Sequence, residues 1–210
     1  MSAGSPTRGG SATLRYAAVI LAAGASSRMG RPKTLLPWGR SSILGHLLKQ
    51  WQGLGADPVA VVCAAPDRAV NEELDRLGVP EALRLLNAAP ERGMFSSIQC
   101  AAKWGAGIPA LTHVAIVLGD QPHLREAMLR ALIGFAAVNP DKVCQPARNG
   151  RPRHPVIMPR EVFQRLERSS GENLKQALQT ESVATCELDD PGLDFDIDRP
   201  EDYELLLASA

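Results

Sequence analysis

The sequence predicts a single α/β domain, a mostly parallel sheet with helices on both faces and so three layers. Three observations predict it. Short apolar runs alternate with amphipathic stretches along the chain, the pattern of strands joined by crossover helices. The run His113 to Leu118 (HVAIVL) is apolar without a break, as expected of a strand buried on both sides. A length of 210 residues at 45% hydrophobic composition supports one full core and falls short of two domains.

Met1 to Thr13 is Gly, Ser and Ala with one Arg and no apolar stretch, so it predicts a disordered tail rather than a secretory signal, and places the domain at 14–210. The first strand is Arg15 to Leu21. Ser41 to Leu54 sets Ile43, Leu44, Leu47, Leu48, Trp51 and Leu54 on one stripe after a Ser cap, which predicts a core-facing helix. Pro58 to Cys63 is the next strand, and Ala69 to Leu77 a polar-faced helix ended by Gly78. A short strand at Leu83 to Leu86 and a helix from Phe95 to Trp104 precede His113 to Leu118. Leu124 to Val138 is the third long helix. Strands come next near Lys142 to Pro146 and Pro155 to Met158, with Asn149 to His154 an excursion between them. Helices are expected near Glu161 to Glu167 and Glu172 to Gln179, and a last one starts at Pro200, since proline suits a first helical position.

Composition removes several classes of partner. Lys plus Arg and Asp plus Glu number 23 each, so no net field attracts a polyanion, and four Phe, three Trp and two Tyr are few for base stacking. A nucleic-acid partner is not expected. The longest apolar run, Tyr16 to Ala25, is far short of the roughly 18 to 20 residues that cross a bilayer, so no membrane partner is expected either. Cys63, Cys100, Cys144 and Cys186 are widely spaced without a metal-binding pattern, which suits free thiols of a reduced cytoplasm.

The most informative segment is Leu21 to Pro37, LAAGASSRMGRPKTLLP, which leaves a buried strand and enters a loop of small residues. Ligands of open α/β sheets sit at the carboxyl ends of strands. Small residues let backbone N–H groups approach an anion, and Arg28 and Lys33 add positive charge for phosphate oxygens. A P-loop is excluded, because Gly24 and Gly30 enclose five residues and the lysine arrives three positions later. A second candidate is Asp120 in Gly119-Asp120-Gln121-Pro122, a carboxylate at the carboxyl end of HVAIVL, where a hard oxygen ligand suits Mg²⁺. A third is LDFDIDRPEDY, whose Asp194, Asp196 and Asp198 alternate at a strand period, which predicts three carboxylates on one side.

With its flanks, LAAGASSRMGRPKTLLPWG resembles the signature of the nucleotidyltransferases related to the molybdenum cofactor cytidylyl- and guanylyltransferases. That resemblance implies a Rossmann-like sheet of the nucleotide-diphospho-sugar transferase type. It also implies that Leu21, Ala22, Ala23 and Gly24 contact base and ribose while Arg28 and Lys33 hold the triphosphate. The LAAG form is similar to the cytidylyl branch, which favours CTP. GDQP resembles the family's metal motif, with Asp120 as a Mg²⁺ ligand and a second carboxylate from Asp196 or Asp198, of which Asp198 is favoured; Arg199 stands where the family has Thr. Asn87 to Ser97 resembles the stretch ending G-M-S-S-S, and Arg151 to Val156 resembles G-x-P-x-H-P-V, so Ser96, Ser97, Arg153 and His154 are expected on the acceptor side. At Ser170 to Lys175 the chain departs from the family's Gly-Asp-x-Gly-Ala-Arg.

The implied reaction moves a nucleoside monophosphate onto the phosphate of a molybdopterin-type acceptor, with Arg28, Lys33 and Asp120 as the catalytic groups. A molybdoenzyme or its chaperone would receive the product. Two other readings stand beside it: a sugar-phosphate nucleotidyltransferase using the same triphosphate site, and a carrier that binds nucleotide or cofactor without chemistry.

Overall fold

The computed structural model describes residues 14–24, 29–105 and 111–208. The expected tail at 1–13 and Arg28 lie outside the described residues. The chain runs β1 (Tyr16–Leu21), a short hairpin β2 (Pro37–Trp38) and β3 (Ser41–Ser42), α1 (Ile43–Gly53), β4 (Val59–Ala64), α2 (Arg68–Arg76), β5 (Arg84–Asn87) and α3 (Met94–Gly105). It continues with β6 (His113–Leu118), α4 (Glu126–Ala137), β7 (Val143–Arg148), β8 (Arg151–Pro152), β9 (Val156–Pro159), α5 (Arg160–Arg165), α6 (Leu174–Ala177), β10 (Val183–Glu187) and α7 (Pro200–Leu207).

The main sheet has the order β10-β7-β9-β6-β1-β4-β5, with β8 paired to β7. Neighbours are parallel except around β9, which runs antiparallel to both β6 and β7, and in the β7–β8 hairpin. β6 sits at the centre and pairs with β1 over its whole length, from Tyr16 opposite His113 to Leu21 opposite Leu118. Alternate residues of the central strands feed two cores. Ala18, Ile20, Val61, Cys63, Ala115 and Val117 pack with Leu44, Leu47 and Trp51 of α1 and Leu129 and Leu132 of α4. Val19, Ala60, Val62, Val114 and Ile116 pack on the other face with Ile98, Ala101 and Ala102 of α3 and Phe163 of α5. Each fully buried Leu, Ile or Phe contributes roughly 1.5–3 kcal/mol, so the double-sided burial of β1, β4 and β6 anchors the sheet. Side-chain caps fix where helices begin: Ser42 accepts from Gly45 N at 3.0 Å and Asp67 from Val70 N at 3.1 Å.

This topology gathers the carboxyl ends of β1, β4, β5, β6, β7 and β10 along one edge. Because β9 is reversed, its amino-terminal end, with His154 just ahead of it, comes to the same edge.

Two expectations need correction. Residues Asp194 to Asp198 do not form a strand with three carboxylates on one side: Pro191–Asp194 is a 3-10 turn and the residues after it are irregular. No partner strand is there to form a ladder, and the N–H of Ile197 donates instead to the carbonyl of Asp120 at 3.1 Å, pinning the segment across the end of β6. The strand β10 was not expected; its residues alternate between exposed and half-buried, which leaves no apolar stripe to read. The excursion at Asn149 to His154 is the β7–β8 hairpin, turned by Asn149 and Gly150 at φ of 51° and 70°.

Candidate active site

A cleft of about 400 Å³ opens where β1 and β6 end. One wall is the chain from Leu21 to Gly24, where the strand stops pairing once the N–H of Ala22 has donated to Val62 O at 2.8 Å. The opposite side is built from Pro90, Gly93, Met94 and Ser97 at the start of α3. Lys33, Thr34, Gly119, Asp120 and Asp198 form the floor. Gly119 is required there. A Cβ at that position would stand 2.5 Å from the carbonyl oxygen of Leu21 and 3.1 Å from Thr34 Cγ2, so β1 and the lysine turn close on β6 only without a side chain.

Lys33 opens a 3-10 turn, Lys33–Leu35, and its ammonium reaches both acidic segments named from the sequence. Nζ donates to Asp198 Oδ1 at 2.6 Å and to Asp120 Oδ2 at 3.4 Å. Asp198 is positioned by α7: the carboxylate of Asp202 accepts from the N–H of Asp198 at 3.1 Å and of Arg199 at 2.8 Å. Tyr203, one turn into the same helix, donates its hydroxyl to Pro37 O at 2.6 Å and tethers the segment after the lysine. Asp196, the other candidate, is absent from the cleft wall and accepts from Gln121 Nε2 at 2.8 Å.

Burial pushes the Asp120 carboxyl above the usual range, helped by the charge of Asp196 and opposed by Lys33. Its Oδ1 is sealed from solvent without a hydrogen-bond partner. An orphaned carboxylate oxygen on the floor of a cleft is a place for a cation. The donor set fits a divalent ion that takes one or two carboxylates and completes its shell with water and phosphate oxygens. No cage of three or more His, Cys, Asp or Glu side chains occurs among the described residues.

The structure divides the residues expected on the acceptor side. Ser97 lines the cleft and accepts from Asn87 Nδ2 at 3.0 Å. Ser96 is absent from the wall, and its Oγ accepts from Asn87 Nδ2 at 2.8 Å and lies 2.8 Å from Gly93 O and 3.1 Å from Ala89 O. Its hydroxyl fixes the turn into α3 and has no donor left for a phosphate. Arg153 and His154 lie on the far side of β6 from the Leu21–Gly24 wall. Burial lowers the His154 ring to about 4, so it is neutral at pH 7, and its Nδ1 is enclosed without a partner. Sequence reasoning misses Asp202, Gln121 and Arg148. In the sequence Asp202 reads only as a charge at a helix start, Gln121 stands in GDQP without a role of its own, and Arg148 shows no local pattern.

The sequence and the fold are similar to those of known proteins. Residues 18–186 match the profile of the MobA-like NTP transferase domain. The chain is 27% identical over 189 residues to the molybdenum cofactor cytidylyltransferase of Escherichia coli (strain K12), a match covering 88% of this chain and 92% of that one. It is 34% identical over 201 residues to the phosphoenolpyruvate guanylyltransferase of Rubrobacter xylanophilus, covering 89% of each. Among solved structures, Rv0371c of Mycobacterium tuberculosis H37Rv superposes with a TM-score of 0.74 at 26% identity, over 93% of this chain and 98% of that one. The same protein is also known as a manganese complex, which superposes at 0.69 with 25% identity and the same coverage.

Proposed function

The chain belongs to the MobA-like NTP transferase family of nucleotidyltransferases, and on that premise we propose that it transfers CMP from CTP to the phosphate of a molybdopterin-type acceptor, with release of pyrophosphate. The observation that carries this reading is the Lys33 ammonium, held in the cleft between Asp120 and Asp198 and facing the Leu21–Gly24 backbone.

In this reading base and ribose lie along Leu21 to Gly24, and Lys33 exchanges its carboxylate partners for triphosphate oxygens when the nucleotide enters. Arg28 joins it there. Asp120 and Asp198 would hold Mg²⁺, which supplies charge neutralisation and orientation to the phosphates when bound. An oxygen of the acceptor phosphate attacks the α-phosphorus; the new P–O bond forms as the bond to the bridging oxygen of the β-phosphate breaks, and the electron pair leaves with pyrophosphate. The attacking phosphate is already ionised at pH 7, so no protein nucleophile or general base is needed. Catalysis then reduces to positioning and to neutralising charge in a partly enclosed site. Ser97, Arg153 and His154 are the acceptor-side groups in this scheme.

Pyrophosphate release with Mg²⁺ and each of CTP, GTP, UTP and ATP tests the proposal, with a molybdopterin-type cofactor, a sugar 1-phosphate or phosphoenolpyruvate as acceptor. Release with CTP and the pterin is expected. Release with GTP and phosphoenolpyruvate is the second reading, favoured by the 34% identity to the guanylyltransferase that carries that acceptor in its name. Release only with a sugar phosphate, or nucleotide binding with no release under any pairing, would replace the acceptor or the chemistry.

A further inference from the structure

On the far side of β6 from the cleft, two guanidinium groups close on one carboxylate. Asp194 Oδ1 accepts from Arg153 Nε at 3.0 Å and Nη2 at 2.6 Å, and Arg148 Nη1 donates to Asp194 Oδ2. The β7–β8 hairpin sets the pair. Arg148 ends β7, the turn at Asn149 and Gly150 reverses the chain, and the N–H of Arg153 returns to Pro146 O at 2.8 Å. All three side chains keep about a quarter of their surface open, at 24%, 28% and 29% for Arg148, Arg153 and Asp194.

We propose that Arg148 and Arg153 form the anion clamp of the acceptor subsite, and that Asp194 is a resident stand-in which a phosphate monoester displaces. The assignment of that phosphate as the attacking group rests on the nucleotidyl-transfer reading above. Three features support the clamp. Its place is right: Asp194 lies four residues before Asp198 of the cleft, on the segment that the N–H of Ile197 pins to the carbonyl of Asp120 at 3.1 Å, and Arg153 precedes His154. Its ion pairs are unequal: Asp194 holds both guanidinium groups, whereas the exposed Asp189 reaches only Arg148, so a phosphate in place of Asp194 would take the position between the two cations. Its donors exceed its acceptors: Arg148 Nε is enclosed with no hydrogen-bond partner, and Asp189 Oδ1 stands 3.7 Å away. A carboxylate has two oxygens for the fork of donors, and a phosphate monoester brings three. Partly exposed ion pairs contribute little stability, so Asp194 can be released without unfolding the chain.

Calorimetric titration with inorganic phosphate at fixed ionic strength tests this, on the wild type, on Asp194→Asn, and on Asp194→Asn combined with Arg148→Met or Arg153→Met. Acetate serves as the carboxylate probe, and CTP and GTP binding with Mg²⁺ is measured on the same samples. Removing the stand-in should tighten phosphate by about tenfold. Either arginine replacement should cancel that gain, while nucleotide binding stays unchanged. Phosphate affinity in Asp194→Asn at or below the wild-type value, or a gain that survives loss of both arginines in turn, would overturn the clamp while leaving the transferase reading intact. Acetate bound as tightly as phosphate would overturn the phosphate assignment. If no nucleotide binds even the wild type, the nucleotidyl-transfer reading fails, and with it the attacking role of the bound phosphate.

Discussion

Asp120→Asn separates the chemical role of the cleft floor from its structural one. Lys33 Nζ lies 3.4 Å from Asp120 Oδ2, and unit charges at about 4 Å attract by about 4 kcal/mol in surroundings of effective dielectric near 20. The carboxyl is nevertheless held above its usual range, so burial and the charge of Asp196 outweigh that attraction. At neutral pH the fold therefore carries the Asp120 charge at a net penalty. Asparagine keeps the shape and removes the charge, and Lys33 retains Asp198 at 2.6 Å. The melting temperature at pH 7.5 should hold or rise, with each 1 kcal/mol worth roughly 2–4 °C in a chain of this size. Turnover should fall by at least about 10²–10³, the loss of roughly 2.7–4 kcal/mol typical of one preorganised charge-stabilising group. Mn²⁺ affinity, read by electron paramagnetic resonance, should fall with it. Wild-type turnover and Mn²⁺ affinity in the variant would refute the metal role, and a melting temperature that drops more than about 4 °C would refute the charge penalty.

Three further outcomes rest on the same geometry. Lys33→Ala should lower kcat/KM by about 10²–10³, and steady-state kinetics with unchanged kcat and KM would remove it from the triphosphate site. Gly119→Ala forces a Cβ to within 2.5 Å of Leu21 O, so the melting temperature should fall by roughly 2–12 °C for a 1–3 kcal/mol overpacking strain; an unchanged value would mean that β1 and β6 separate there without strain. Burial is the first cause holding all four histidines, His46, His113, His123 and His154, below the ordinary value. The unfolded chain then binds more protons below pH about 6.5, so their contribution is complete above that pH and is lost as pH falls through the folded values, at up to about 1.4 kcal/mol per pH unit for each ring. His113→Gln, at the end of β6 away from the cleft, should flatten the profile of melting temperature against pH between 7.5 and 5; a slope equal to wild type would exclude His113 as a contributor.

The sequence was most legible where a buried strand dictates the course of the chain after it. Tyr16–Leu21 and His113–Leu118 are apolar on both faces, so their pairing side by side fixes where LAAG and GDQP end up, and the cleft lies between them. Lys33 comes within the same stretch. It was less legible where side-chain partners rather than a ladder hold the chain. LDFDIDR has the alternation of a strand, yet its three carboxylates take three different sets of partners: Arg148 and Arg153 for Asp194, Gln121 for Asp196, Lys33 for Asp198. A period-two pattern of charge records only that alternate residues avoid the core, and buried Ile197 satisfies that in irregular chain as well as in a strand.

The same distinction separates the two halves of the site. The cleft half is assembled from Leu21–Gly24, Lys33, Thr34 and Gly119–Asp120, segments whose conformation is set by the two central strands. The half on the far side of β6 joins Arg148 to a carboxylate 46 positions on, and Lys33 itself depends on an aspartate 165 positions away. Those aspartates also lie past residue 186, where the match to the family profile ends. A segment held by ion pairs at the edge of the sheet can change its charges without disturbing β1 or β6. On the proposed reading, the Leu21–Gly24 wall would take the nucleotide common to the family, and the Asp194–Asp198 segment with its arginines is where a preference for one acceptor would lie.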